Sequence, residues 1–306
     1  MKWSQHSCGL RKNIRKYWQL YLLILPAIVY IFIFNYIPMY GVQIAFRNYK
    51  TSRGILGSQW VGLDHFKRFI TYPNFMMLIK NTLSIGLYDL ATFPIPVLFA
   101  LLLNELRNQK FKKTVQMVTY MPHFLSTVIV CSMIKLFFDQ KIGVVNTAIQ
   151  LLGGEAIQFL ETASYFNDIY VWSGIWQSLG WSAIIYIAAL SGVSTELVEV
   201  ARIDGATRVQ VIRYVNIPHI MPTIITMLIL SCGSILSVGF EKVFLLQNSL
   251  NLSRSQVIST YVYEIGIRGG QFSYSSAIGL FNTLVNVTLL LIVNFISKKV
   301  TETGIF

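Results

Sequence analysis

The chain has 306 residues, of which 54% are hydrophobic and only 12% charged, where a soluble globular domain carries roughly 25% charged residues. That leaves too little polar surface for a water-soluble fold, and the apolar residues are gathered into long runs rather than one oversized core. The net charge of +12 does not point to nucleic acid, because the basic residues sit mainly between the apolar runs and form no aromatic-interleaved face.

In chain order, Lys2, Arg11, Lys12, Arg15 and Lys16 precede an apolar stretch that opens at Trp18. A secretory leader has similar flanks, but this stretch exceeds about twenty residues and no small-residue cleavage site follows, so a retained first membrane helix is expected. Residues 1–17 then form a cytoplasmic segment and 18–306 one transmembrane domain. Apolar stretches of spanning length cover 18–43, 81–103, 115–138, 169–193, 219–240 and 275–296, which predicts an all-α polytopic bundle of six transmembrane helices. Trp18, Tyr40 and Tyr120 lie near span ends, as interfacial aromatics do.

With the N-terminus inside, the density of lysine and arginine is about twofold higher in the cytoplasmic segments, which places both termini in the cytoplasm. The first external segment runs against that rule with Arg47, Lys50, Arg53, Lys67, Arg68 and Lys80. Short surface helices are expected within 139–168, where Val144, Val145, Ala148, Leu151 and Leu152 precede Gly153 and Gly154, and at 255–267 before Gly269 and Gly270. Pro26, Pro38, Pro94 and Pro96 predict kinked helices. Gly86, Gly174, Gly180, Ser231, Gly233 and Gly279 offer small surfaces for close helix approach. Cys8, Cys131 and Cys232 are odd in number and lack metal-ligand spacing, so they read as small core residues.

Residues 194–218 stand apart. An ordinary helix connection needs about two to eight residues, yet this segment is long, polar and patterned. Ser194 or Thr195 can cap a helix with Glu196 and Glu199 placed in its first turn against the macrodipole. Gly205 can end that helix with positive φ. Thr207 can cap a second short helix whose stripe is Val211, Ile212 and Val215, closed by Pro218. Two brief helices around a sharp turn, lying on the cytoplasmic face, are the form of a docking element.

At these residues the chain resembles the membrane-spanning subunits of binding-protein-dependent ABC importers. Their cytoplasmic loop reads Glu-Ala-Ala, three residues, Gly, then Ile-x-Leu-Pro. Here it appears as Glu199, Val200, Ala201, then Arg202, Ile203, Asp204, then Gly205 and Ala206, closing at Val215, Asn216, Ile217 and Pro218. Val200 and Ile217 are conservative departures. Weaker likeness to the maltose-type branch, and within it to LplB-like permeases of polysaccharide-derived oligosaccharides, rests on stretches 36–41, 61–66, 101–105 and 275–281.

The resemblance implies the maltose-type permease fold and a sugar pathway formed with a second, homologous permease in the bacterial cell membrane. It also implies a dimer of ATPase subunits that bind the ATP and magnesium, an extracytoplasmic solute-binding protein, and an oligosaccharide as cargo. ATPase coupling falls to Glu199, Ala201, Asp204, Gly205, Ala206 and Pro218. Glu199 either pairs with a basic group on the ATPase or caps its own helix. Solute contacts are carried over to Trp176, Gln177, Trp181, Ser231 and Ser234, where amides and hydroxyls beside aromatic platforms suit sugar chemistry; the tryptophans also fit as packing or interfacial anchors.

The chain carries no Gly-x-x-x-x-Gly-Lys-Ser/Thr loop, so it is not expected to be an enzyme or to hold a cofactor. Among charges inside or near the spans, Asp89 is expected to hydrogen-bond a neighbouring helix, while Lys135 and Glu241 reach water at span ends. Asn282 and Asn286 are expected to join helices. The competing classes are a secondary transporter, or a permease for another small polar solute, and an intramembrane enzyme. Absence of an internal repeat argues against the first, and the scatter of His6, His65, His123 and His219 against the last.

Overall fold

The computed structural model describes residues 16–301 and Gly304; Lys2, His6, Cys8, Arg11, Lys12 and Arg15 lie outside the described residues. Lipid offers backbone groups no partners, so apolar segments of this length satisfy them internally as helices. Four helical stretches have spanning length and hydropathy: Trp18–Phe46, Phe75–Asn104, with a turn at Thr92 and Phe93, Arg208–Gly233 and Phe272–Lys299. Two bent pairs, Gln109–Phe124 with Thr127–Phe137 at 100° and Ala163–Leu190 with Thr195–Ile203 at 79°, bring the number to six if each counts as one span. The expected surface helix is present at Val144–Leu151, whereas the helix at Ile258–Tyr263, running on as a π turn over Glu264–Arg268, is packed into the bundle through Ile258 and Tyr261 instead of lying on the surface.

Three differences from the sequence reading have physical causes. The third span, expected to be continuous over 115–138, breaks at 121–126, where Pro122 withholds a backbone donor and Ser126 caps the next helix through Ile129 N. The fifth span begins at Arg208 rather than near 219 and ends at Gly233 rather than 240, because Pro218 does not stop the helix. A π turn over Ile212–Asn216 sets Ile217 N on Ile212 O and so opens room for the Pro218 ring. The same device precedes Pro38, with a π turn over Phe32–Tyr36 and Ile37 N on Phe32 O. Third, the otherwise helical chain carries one hairpin, β1 (Arg47–Lys50) against β2 (Gly54–Trp60). Arg47 Nη1 donates to Ser58 O at 2.9 Å, and Tyr49 N donates to Ser273 Oγ at 2.8 Å, which ties the hairpin to the last span. Two of the six basic residues in that segment lie over rings, Arg47 on Trp60 and Arg68 on Tyr274.

The first span has no buried residue from Trp18 to Met39, and its end at Tyr40–Phe46 packs on the last span. The other spans enclose separate apolar clusters. One, near the 194–218 loop, holds Val97, Leu101, Ala183, Tyr186, Leu190 and Ile220. Another, toward the opposite end, holds Ile85, Val130, Ile134, Phe166, Val238 and Val243. A third joins Phe69 and Leu78 to Tyr261, Tyr274 and Ile278.

Between the first two clusters two stretches of chain leave α-helical form, 121–126, which opens as a 3-10 turn over Met121–Phe124, and 234–239, and neighbouring amides serve backbone groups they free. Gln177 Nε2 donates to Leu125 O at 3.1 Å. Asn286 Oδ1 accepts from Leu236 N at 3.1 Å, its Nδ2 donates to Ser237 Oγ at 2.9 Å, and Asn282 Nδ2 donates to Leu236 O at 3.4 Å. Asn282 and Asn286 therefore tie the last span to the non-helical stretch 234–239, where a link to another helix was the expectation. Each stretch, or the turn leading to it, also abuts a glycine. A Cβ on Gly86 would collide with the Ile235 carbonyl, and one on Gly180 with the Thr119 carbonyl.

Gly86→Ala is expected to lower thermal stability in detergent by about 1–3 kcal/mol through overpacking, whereas Gly279→Ala, whose Cβ meets nothing within 4 Å, should not. Asn286→Ala, which orphans the buried Leu236 amide, should cost about 1–3 kcal/mol in the same unfolding measurement.

Candidate functional site

The gap between the two apolar clusters is a cavity of about 500 Å³, within the roughly 300–1,000 Å³ of ligand pockets. Its walls come from the middle of three spans: Gly86, Asp89 and Thr92 on the second, Tyr170, Ser178, Trp181 and Ser182 on the fourth, and Ser231 on the fifth, which the broken segment extends with Ser234, Ser237 and Gly239. Five serines in one wall system are unusual for a membrane interior, and their bonding explains how they are tolerated. Ser178 Oγ donates to Gly174 O at 2.7 Å and Ser234 Oγ to Ser231 O at 3.1 Å. A hydroxyl that spends its proton on its own helix keeps acceptor lone pairs for a solute.

Of the residues named for solute contact, the structure brings Trp181, Ser231 and Ser234 to this cavity. Gln177 sits on the same helix but is engaged with Leu125 O. Trp176 faces a separate apolar groove with Phe137, Phe138, Phe159 and Trp172. Trp181 is stacked on His123, centroids 4.4 Å apart. Sequence reasoning missed Ser178, Ser182 and Ser237. The first two stand one turn apart on the fourth span, a readable signal, whereas Ser237 was assigned to a helix that the structure breaks.

Asp89 departs from expectation. Among the described residues its carboxylate makes no hydrogen bond, and it is exposed to the cavity rather than tied to a neighbouring helix. The opposite charge acting on it is Lys242, 8% exposed, which donates from Nζ to Tyr170 O at 2.7 Å and lies over the Tyr170 ring at 4.7 Å. Gly174 makes room for that ammonium, since its Cβ position is 3.2 Å from Lys242 Nζ. Lys135 and Glu241 are exposed.

At the far end of the fourth span lies the loop. Ser194 is the N-cap residue of helix Thr195–Ile203, although its side chain makes no capping bond. Glu196 is in the first turn, but Glu199 is not, so the self-capping role considered for Glu199 does not apply and its side chain points out exposed. Ala206 N donates to Ala201 O at 2.9 Å and Gly205 N to Arg202 O at 3.1 Å, with Gly205 at φ +82°, the Schellman closure that a glycine permits. Asp204 is the exposed C-cap. Thr207 and Gln210 form a capping box. The second helix is then continuous with the fifth span through Pro218, which corrects the expectation that Pro218 closes it. Asn216, 2% exposed, reaches Glu105 Oε1 at 3.5 Å and links the loop's return to the end of the second span. Leu197, Val200 and Ile203, at three-residue spacing, are exposed, Ile203 at 85%.

Comparison with known proteins matches this architecture. The chain is 45% identical over 288 residues to the polygalacturonan/rhamnogalacturonan transport system permease protein YteP of Bacillus subtilis (strain 168), covering 94% of this chain and 90% of that protein. It is 44% identical to Protein LplB of the same organism, covering 94% and 91%. Among solved structures, a chain of a bacterial ABC transporter involved in the import of the acidic polysaccharide alginate superposes with a TM-score of 0.87 at 38% identity, covering 96% of this chain and 99% of that one. Residues 93–302 match the family described as binding-protein-dependent transport system inner membrane component. This chain is a membrane-integral member of that family, a permease component of an ABC importer.

Proposed function

We propose that this chain forms, with a second homologous permease, the membrane pathway for an oligosaccharide derived from a polysaccharide, driven by ATP hydrolysed on a separate subunit pair. The observation that carries the coupling half is the loop helix Thr195–Ile203, closed at its C-terminal end by the Gly205 turn and leaving Leu197, Val200 and Ile203 exposed. An apolar ridge beside Glu199 and Asp204 suits a cleft on an ATPase that holds its own nucleotide and magnesium. A stiff helix transmits displacement, and Gly205 lets the chain reverse within one residue. Ala201 and Ala206 supply the carbonyl and amide of the closure, and Pro218 lies where the lever enters the fifth span.

The cargo half rests on the hydroxyl-lined cavity and on relatives whose printed names concern polygalacturonan, rhamnogalacturonan and alginate. One solved relative is in complex with an alginate pentasaccharide-bound periplasmic protein, which supports delivery by an external binding protein here. In this reading the loop 194–218 belongs to a single permease domain, 18–306, behind a cytoplasmic segment 1–17. Both termini face the cytoplasm of a bacterial cell.

Proline cannot adopt φ +82°. Gly205→Pro is therefore expected to leave the protein inserted but to lose the co-purifying ATPase in a detergent pull-down; ATPase retained at wild-type stoichiometry would refute the docking role. Ile203→Cys, expressed without the ATPase subunits, should resist a membrane-impermeant maleimide in intact cells and react once the cells are opened, and labelling in intact cells would invert the proposed orientation.

A further inference from the structure

Asp89 is a carboxylate at membrane depth with nothing in the described residues to bind. A charge in that position is costly and is kept where it meets a partner, a water-filled cavity or a ligand. No side chain or backbone donor on a neighbouring helix reaches the carboxylate; the adjacent Tyr88 hydroxyl accepts from Trp172 Nε1 at 2.9 Å, and Thr92 Oγ1 donates to the Asp89 backbone carbonyl at 2.7 Å. Lys242 acts on Asp89 as a favourable field, but its ammonium is committed to Tyr170 O and the Tyr170 ring, and no ion pair joins the two. What Asp89 does face is the cavity, in the company of Thr92, Ser178, Ser182 and Ser231.

We propose that Asp89 is a solute-binding residue, whose carboxylate accepts hydrogen bonds from adjacent hydroxyls of a sugar lodged in the serine-lined cavity. The inference rests on the transport reading above and adds a named contact to it. An ionised carboxylate has two acceptor oxygens and no donor, which suits a pair of neighbouring sugar hydroxyls. Bonds to a charged acceptor are about twice as strong as neutral ones. The serines that back-bond to their helices supply acceptors of the same kind, so this wall selects for hydroxyl donors. The Lys242 ammonium, buried behind Tyr170, offsets the carboxylate charge without occupying it. The part of the solute that meets Asp89 is thus a hydroxyl-bearing face and not a carboxylate.

The test uses the complete transporter, with its partner permease, ATPase and binding protein, in liposomes loaded with ATP. Uptake is followed with radiolabelled trigalacturonate, a rhamnose-containing galacturonate disaccharide and maltotriose, alongside ATPase stimulation by the loaded binding protein and thermal unfolding of the complex. Asp89→Asn is expected to lower uptake of the best solute about tenfold or more, the size of a lost charge-assisted hydrogen bond, while stimulated ATPase activity and unfolding temperature stay at wild type. Asp89→Glu should recover part of the uptake, and Asp89→Ala should match Asn or fall lower. Unchanged uptake in Asp89→Asn overturns the inference, as does a parallel fall in uptake, stimulation and unfolding temperature, which marks a structural acid. A wild-type complex that takes up none of the three solutes overturns the oligosaccharide reading itself, and this contact with it.

Discussion

A backbone amide or carbonyl left unpaired in hydrocarbon costs several kcal/mol, and the form of this protein follows from where it can afford to leave α-helical geometry. It does so at 121–126 and 234–239, and both places lie within reach of an amide side chain on another span, Gln177 in one case and Asn282 with Asn286 in the other. Those side chains take Leu125 O, Leu236 N and Leu236 O, and Ser259 Oγ takes Val238 O at 3.3 Å. The Gly86 and Gly180 surfaces act with them, allowing Ile235 and Thr119 carbonyls to approach closer than any side chain would permit.

The breaks explain the cavity. A bundle of six unbroken apolar helices would close on itself and form one core. Here the apolar contacts divide into a cluster around Tyr186 and Ile220 and another around Val130 and Val243, and the irregular segment 234–239 helps to hold them apart. Serines, Asp89 and the Trp181 ring occupy the gap. In lipid, helix association gains little from hydrophobicity, since the tails are as apolar as leucine. Polar lining therefore removes less stability here than it would from a water-soluble core.

The loop is linked to this gap by covalent continuity. Helix Thr195–Ile203 joins the fourth span by a 79° bend, and the chain returns through Thr207 and the π turn directly into the fifth span. Both spans wall the cavity. A displacement of the loop is thereby delivered to two of its three sides, with Asn216 and Glu105 carrying contact to the third. The π turn ahead of Pro218 is what makes the connection rigid, because it keeps the helix hydrogen-bonded past a residue that ordinarily ends one.

The sequence by itself determined the membrane class, the number of apolar stretches, the two short helices of the 194–218 loop and the turn at Gly205 between them. These are local matters of run length, capping residues and a position that needs positive φ. It also pointed to Asn282 and Asn286 as links to another segment of the bundle, since amides at helical spacing in lipid must find partners. It did not determine where the third and fifth spans break, that Pro218 sits within a helix, or that Glu199 lies beyond the first turn. Nor did it reveal that Asp89 is unpaired, that Trp176 and Trp181 face different spaces, or that Lys242 lies buried beside Tyr170. Those outcomes depend on which groups from distant segments meet, and a hydropathy run looks the same whether its helix is continuous or mended by a neighbour's amide. Tertiary packing decided them, because a polar group in lipid takes its role from the partner it finds or lacks across the bundle.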